Sequence, residues 1–211
     1  MRNFLKNIAN MLSYDTTPTL AEYDQLADFI EKQSSFVSQV TLYTYIKTRA
    51  GTQWPKLFEN EEYLASLKIA RWHIFAACVA DLSIFAAAQF YKSGQADKKY
   101  CARIARQLIA AILDKVEQED VEPGVFHAVI KNNEKRFQKT DYQQAAEGDY
   151  AFQTSAQALL DWAPVINDFK KNDELIVRNS IHLRWISVRR DLTKGLRIQS
   201  VLAEITQKMS N

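Results

Sequence analysis

Apolar side chains recur every three or four residues along most of the chain, which is the spacing of one face of an α-helix. The first run extends from Leu20 to Tyr43 and is followed by Gly51, a residue typical of a helix C-terminal stop. Residues 19–22, Thr-Leu-Ala-Glu, match a capping box, so we expect this helix to begin there. Similar patterns predict helices over residues 97–118, after Pro123, from about Asp141, and from 172 to 192.

The most apolar stretch is WHIFAACVADLSIFAAA, residues 72–88. It lies within a predicted helix near residues 61–91, which Asn60 is placed to cap and which opens with two glutamates. Its many alanines permit close contact with neighbouring helices on more than one side. The sequence therefore predicts an all-α fold, a bundle of about six to eight helices around this buried central helix.

A membrane span requires about 20 mostly apolar residues without a central charge. Here Arg71 and His73 close one end of the apolar run, and Asp81 stands at its middle. An aspartate at the bilayer centre costs about 3 kcal/mol on insertion scales. We therefore expect the helix to be the core of a water-soluble bundle.

Asp81 has two explanations at this level. The first is structural: a buried carboxylate caps a helix or pairs with a basic side chain of a neighbouring helix. The second is functional: Asp81, with His73 two turns earlier, lines a pocket between helices.

The first residues form a separate predicted element. Residues 1–12 carry Phe4, Leu5 and Ile8 on one side, with Arg2 and Lys6 elsewhere, which predicts a short amphipathic helix. It is expected to dock on the bundle, or to rest on a membrane surface with help from a second basic surface. The rest of the bundle is predicted to be one domain over residues 19–208.

Composition and motifs exclude several common chemistries. The formal net charge is +2, which gives no general case for nucleic-acid binding. The chain has no Gly-x-Ser-x-Gly elbow, no phosphate-binding glycine loop and no His-Glu-x-x-His string, and its three histidines are scattered. No metal site or cofactor is predicted. Cys78 and Cys101 have no paired spacing, so they are expected to be reduced, buried thiols of a cytoplasmic protein.

One constellation near the end of the chain suggests binding. Arg178, His182, Trp185 and Arg189 are spaced by four, three and four residues, so they share one stripe of a helix. From residue 170 onward there are nine Lys or Arg against four Asp or Glu. The stripe is either a solvated basic face with Trp185 in the core, or a surface for anionic lipid, nucleic acid or an acidic protein.

Part of the sequence resembles a known family. Residues 34–88, SSFVSQVTLYTYIKTRAGTQWPKLFENEEYLASLKIARWHIFAACVADLSIFAAA, and more loosely NDELIVRNSIHLRWISVRRDL, resemble a family of small helical bacterial proteins, chiefly alphaproteobacterial. The resemblance implies a helical fold and a bacterial origin. Some members bear the name "esterase", but the family supplies no catalytic residues to carry over, and this chain lacks the serine elbow.

These observations favour a binding or assembly module, with an unknown protein or anionic partner and peripheral contact with the inner membrane as a further expectation. Nucleic acid is not the expected partner, and self-association remains open. The alternative is a small hydrolase with an unusual site near Asp81 and His73. A deep pocket with converging polar groups would favour the enzyme, whereas a flat exposed apolar or basic surface would favour the binding module.

Overall fold

The computed structural model describes residues 17–120 and 125–210, and within them the chain is helical, with no β-strand. The predicted helix over residues 1–12 lies outside the described residues. The helices are α1 (Tyr23–Ala50), α2 (Trp54–Leu57), α3 (Glu61–Lys92), α4 (Lys98–Asp120), α5 (Val125–Lys139), α6 (Tyr142–Ala145), α7 (Gln153–Trp162), α8 (Asn167–Lys170), α9 (Glu174–Gly195) and α10 (Ile198–Ser210). The predicted all-α bundle is confirmed.

Helix α3 is the centre of the bundle. Every residue from 74 to 90 is buried, and α3 packs against α1, α4, α5, α6 and α7. Its N-terminus is capped as predicted, because the Asn60 side chain accepts a hydrogen bond from the Tyr63 N–H at 2.9 Å. Although α3 is long and apolar enough to cross a membrane, 94% of its most apolar window is buried within the described structure. This burial is typical of the core helix of a soluble protein.

The predicted start of α1 at a Thr19–Glu22 capping box is wrong. The Leu20 N–H donates to the Gly195 carbonyl at 3.0 Å, and the Arg197 N–H donates to the Leu20 carbonyl at 2.9 Å. These two hydrogen bonds form an isolated parallel bridge between Leu20 and Leu196, which holds the chain extended ahead of the helix. A partner distant in sequence thus replaces the local cap, and α1 begins only at Tyr23.

Two features hold this corner of the fold together. The Glu204 side chain of α10 accepts the Tyr23 N–H at 2.8 Å, so α10 satisfies a free donor in the first turn of α1. Gly195 lies so close to the Pro18 carbonyl oxygen that a Cβ atom there would overlap it. A glycine is therefore required at the end of α9 by packing.

The far end of α1 matches the prediction. Gly51 has φ of 55°, the left-handed conformation that favours glycine after a helix. Near the start of α9, the buried carboxylate of Asp173 accepts a hydrogen bond from the Tyr45 hydroxyl at 2.7 Å and pairs with Arg49, both on α1. This second buried carboxylate fastens α9 to α1.

Candidate functional site

Asp81 is fully buried on α3 and has two partners on other elements. One carboxylate oxygen accepts a hydrogen bond from Arg136 Nη2 of α5 at 2.6 Å. The other accepts the backbone N–H of Ser155, in the first turn of α7, at 2.8 Å. Asp81 therefore acts both as an ion-pair partner and as a cap for α7, which is the structural explanation posed for it above.

Among the described residues near Asp81, the Cys78 thiol and the Ser155 hydroxyl belong to fully buried side chains. Burial raises the pKa of Asp81 and opposes the lowering effect of Arg136. Burial also raises the pKa of the Cys78 thiol well above its ordinary value, so this thiol is protonated at neutral pH. The Ser155 hydroxyl accepts a hydrogen bond from the Trp185 indole N–H at 3.3 Å and is fully buried. Together these groups join α3, α5, α7 and α9.

His73 does not join the Asp81 network. Its ring stacks face to face on Trp162 of α7, with the ring centroids 3.5 Å apart and the planes within 3°. Eight residues separate His73 from Asp81 along α3, which is about 12 Å of helix. The two candidate residues thus have different neighbours, and the structure does not bring them together in one pocket.

The basic stripe of α9 faces the rest of the chain. Arg178 donates to Glu174 and to Gln157 of α7, both at 2.9 Å. Arg189 donates to the Gly148 carbonyl and to the Asp149 carboxylate. Both guanidinium groups therefore already bond acceptors in the same molecule.

The other two members of the stripe lie deeper. Trp185 is fully buried and packs against Phe152 with ring centroids 4.8 Å apart. His182 is partly buried, with Nδ1 3.7 Å from the Asp149 carboxylate. The four residues share a side of α9, as their spacing predicts, but this side packs on α7 and the turn before it. A role in binding an external anion stays a prediction.

The side of α9 opposite its buried residues carries large aliphatic side chains that are exposed to solvent. Ile176, Leu183 and Ile186 are 65%, 67% and 54% exposed. With exposed Asn179 between them they form one line along the helix, which we call the α9 seam (Ile176, Asn179, Leu183 and Ile186). Further exposed apolar residues at this end of the chain are Ile166, Phe169 and Leu175. Monomeric proteins rarely expose such clusters unless they bind something.

A shallow groove of about 430 Å³ borders the α9 seam, between α9 and α1. The α1 wall carries the hydroxyl groups of Thr41, Thr44 and Thr48, and the α9 wall carries Leu183 and the exposed Arg184, among others. The guanidinium of Arg184 has no hydrogen-bond or ion-pair partner among the described residues. The groove is therefore lined by aliphatic side chains on α9, by threonines on α1 and by the cationic side chain of Arg184, which has no partner among the described residues.

Within residues 17–120 and 125–210, no three His, Cys, Asp or Glu side chains converge on a point that could hold a metal ion. Searches against protein-family models, curated proteins and solved structures returned no significant match. The resemblance to the family with members named "esterase" stays a prediction.

Sequence reasoning missed the α9 seam, although a signal for it was present. Apolar residues of α9 fall on two opposite sides of the helix, and a helix that packs on the core with one side leaves the other set exposed. The predicted start of a helix at residue 172 agrees with the structure, in which Asp173 immediately precedes α9, but the pairing of its carboxylate with Arg49 of α1 was not predicted. No local pattern announces a partner 124 residues away.

Proposed function

We propose that this protein is a binding module that receives an amphipathic helix of a partner protein along the α9 seam. The observation that carries the proposal is the line of exposed aliphatic side chains on a helix whose opposite side is fully packed. Burying such side chains against a partner releases about 25 cal/mol for each Å² of apolar surface.

The spacing of the α9 seam favours a helix as its occupant. Ile176 and Leu183 are seven residues apart, as are Asn179 and Ile186, which is the repeat of two helices that pair along their length. Ser180 and Ser187 border the seam and are small enough to let a second backbone approach. A single polar residue such as Asn179 in a line of this kind fixes register.

The charge beside the α9 seam indicates an acidic edge on the partner helix. The guanidinium of Arg184 has no partner among the described residues and lines the adjoining groove, where a carboxylate would pair with it. A second copy of α9 would supply no unpaired acid, because Glu174 and Asp191 already form ion pairs within the chain. Residues 1–12 contain Arg2 and Lys6 but no acid, so they are also a poor match in charge.

The cysteines support a cytoplasmic location for this module. Cys78 and Cys101 are both buried and free, as is usual in a reducing compartment. A peripheral contact with the inner membrane is the competing role for the same surface, because aliphatic residues with flanking arginines also suit an anionic bilayer. The concave groove with its threonine wall favours the helix.

The test uses two synthetic helical peptides of about 15 residues, with leucine at every a and d position. One carries glutamate at the edges of its apolar face and the other carries lysine there. We expect the acidic peptide to bind in fluorescence anisotropy and Leu183→Asp to weaken it about tenfold or more, as is usual for a central apolar anchor. Arg184→Gln should weaken only the acidic peptide. Ile69→Asp, at an exposed aliphatic residue of α3, is the matched control and should bind normally.

Several results would contradict the proposal. Equal binding of both peptides would show that charge plays no role in recognition. Normal binding by Leu183→Asp would show that the α9 seam is not the binding surface. A dimer that dissociates on dilution and disappears in Leu183→Asp would assign the seam to a second copy of the chain. Flotation with anionic vesicles that depends on Leu183 would assign it to lipid.

A further inference from the structure

A groove of about 660 Å³ lies between α4 and α5, and none of the residues that line it belongs to the Asp81 network or the α9 seam. We call it the α4–α5 groove. Four cationic side chains line it, all from α4, and α5 contributes one carboxylate and one amide. These polar residues are Lys98, Lys99, Arg103, Arg106, Glu134 and Gln138.

The placement of these cations is unfavourable for α4 by itself. Lys98 and Lys99 are the first two residues of the helix, where the helix dipole is positive and acidic residues are preferred. Lys99 and Arg103 are four residues apart, and Arg103 and Arg106 three, so like charges are neighbours along one side of the helix. Local rules broken together in this way are typical of a functional surface.

The groove is only partly neutralised by the chain itself. Arg106 pairs with Glu134 at 3.0 Å, and Asp97 uses its carboxylate to cap α4 at the Tyr100 N–H. Lys98 and Lys99 have no hydrogen-bond or ion-pair partner among the described residues. Arg103 lies over the Tyr100 ring, with its guanidinium carbon 5.7 Å from the ring centroid. Three of the four cations therefore lack an acidic partner within residues 17–120 and 125–210.

We infer that the α4–α5 groove binds a small ligand that carries phosphate groups. A phosphate brings about two negative charges and several acceptor oxygens, which suit one guanidinium and two ammonium groups at a positive helix end. The volume lies in the range of small-molecule sites. A bound anion would relieve the repulsion among Lys98, Lys99 and Arg103 and would complement the α4 dipole.

Isothermal titration calorimetry with inorganic pyrophosphate tests this inference on the full chain. We expect the double variant Lys99→Gln with Arg103→Gln to lose about tenfold or more in affinity, since two charge-assisted contacts are removed. Glu134→Gln should bind several-fold more tightly, because the one carboxylate in the groove is neutralised. Lys32→Gln removes an exposed cation of α1 outside the groove, and its affinity should match that of the wild type. All these positions are at the surface, and thermal melting checks that each variant folds.

A second arm separates a soluble phosphate compound from a lipid headgroup. Vesicles containing phosphatidylglycerol that float with the wild type, and release it when pyrophosphate is added, support the same site with lipid as the source. Pyrophosphate binding without flotation supports a soluble ligand. Leu183→Asp should bind pyrophosphate normally, so failure of the α9 seam proposal leaves this inference standing.

Three outcomes overturn the inference. The first is no heat of binding at millimolar pyrophosphate. The second is an equal loss in Lys32→Gln and in the double variant, which would mean unspecific attraction to surface charge. The third is binding of a long polyanion such as heparin when pyrophosphate does not bind, which would assign the groove to an extended partner.

Discussion

Helices α3 and α9 are both rich in apolar residues, yet they differ in how much of their apolar surface is covered by other helices. From residue 74 to 90, α3 is covered on every side by other helices. Helix α9 is covered on the side of Trp185 and Val188, while Leu183 and Ile186 on the other side are open. Apolar content alone therefore does not show which side of a helix is covered: α3 is covered all round within the chain, whereas one side of α9 is exposed.

The charged residues of the two helices also differ in burial. In α3, Asp81 is fully buried and held by Arg136 and the Ser155 N–H, so its charge serves packing between helices. In α9, Arg178 and Arg189 lie between the covered and open sides and reach sideways to α7 and Asp149. These arginines fasten the helix to the rest of the chain and lie outside the α9 seam.

The largest effect is expected from Asp81→Ala. It removes the carboxylate that pairs with Arg136, whose side chain is only 25% exposed, and uncaps α7, so we expect a loss of about 3–5 kcal/mol in the free energy of unfolding. Urea unfolding measures it. Asp81→Asn keeps an acceptor for the Ser155 N–H and should lose less. A loss below 1 kcal/mol in Asp81→Ala, on the order of a surface change, would show that α3 tolerates an unpaired Arg136.

A smaller loss of stability is expected from substitutions that add volume to α3 or to α9, and it should differ between the two helices because only α3 is enclosed. Ala80→Leu adds volume where α3 is enclosed, and overpacking there should cost about 1–3 kcal/mol. Ser187→Leu makes a larger residue on the open side of α9 and should change stability by less than about 0.5 kcal/mol. Thermal unfolding of the pair provides the measurement. Equal losses would mean that the open side of α9 is covered in solution.

The smallest effect concerns pH at the end of the buried part of α3. Burial lowers the pKa of His73 below its ordinary value of 6.5, because the cationic form is desolvated. Below about pH 6.5 the unfolded chain binds a proton that folded His73 resists, so stability falls as the pH decreases toward the folded pKa. His73→Phe keeps a ring against Trp162 and should remove this slope, which we expect to be the smallest of the three effects because His73 is only partly buried. Urea unfolding at pH 8 and pH 5.5 compares the two proteins, and parallel curves would contradict the prediction.

Much of the helical architecture was predictable because its signals are local. The Asn60 cap, the Gly51 stop and the apolar core of α3 each depend on residues within a few turns of one another. The kind of partner for Asp81 was also predictable, since a buried carboxylate requires a cation or a donor. The identity of that partner was not, because Arg136 is 55 residues away.

The candidate surfaces were harder to predict because they depend on which side of a helix is covered. The stripe from Arg178 to Arg189 was recognised as one side of α9, but spacing alone does not say that this side packs on α7. The α4–α5 groove was not predictable because its four cations all lie on α4 in a chain of balanced charge, and only the fold places α5 beside them. A surface formed by segments that are distant in sequence can be recognised only once the fold is known.

The bridge between Leu20 and Leu196 ties the opening of the described chain to the corner between its last two helices. Removing either segment of this bridge would leave the backbone donor and acceptor of the other without partners. We therefore expect the two segments to order and disorder together. A truncation that removes α10 would also take away the Glu204 carboxylate that accepts the Tyr23 N–H, so the first turn of α1 should fray although 181 residues separate the two groups.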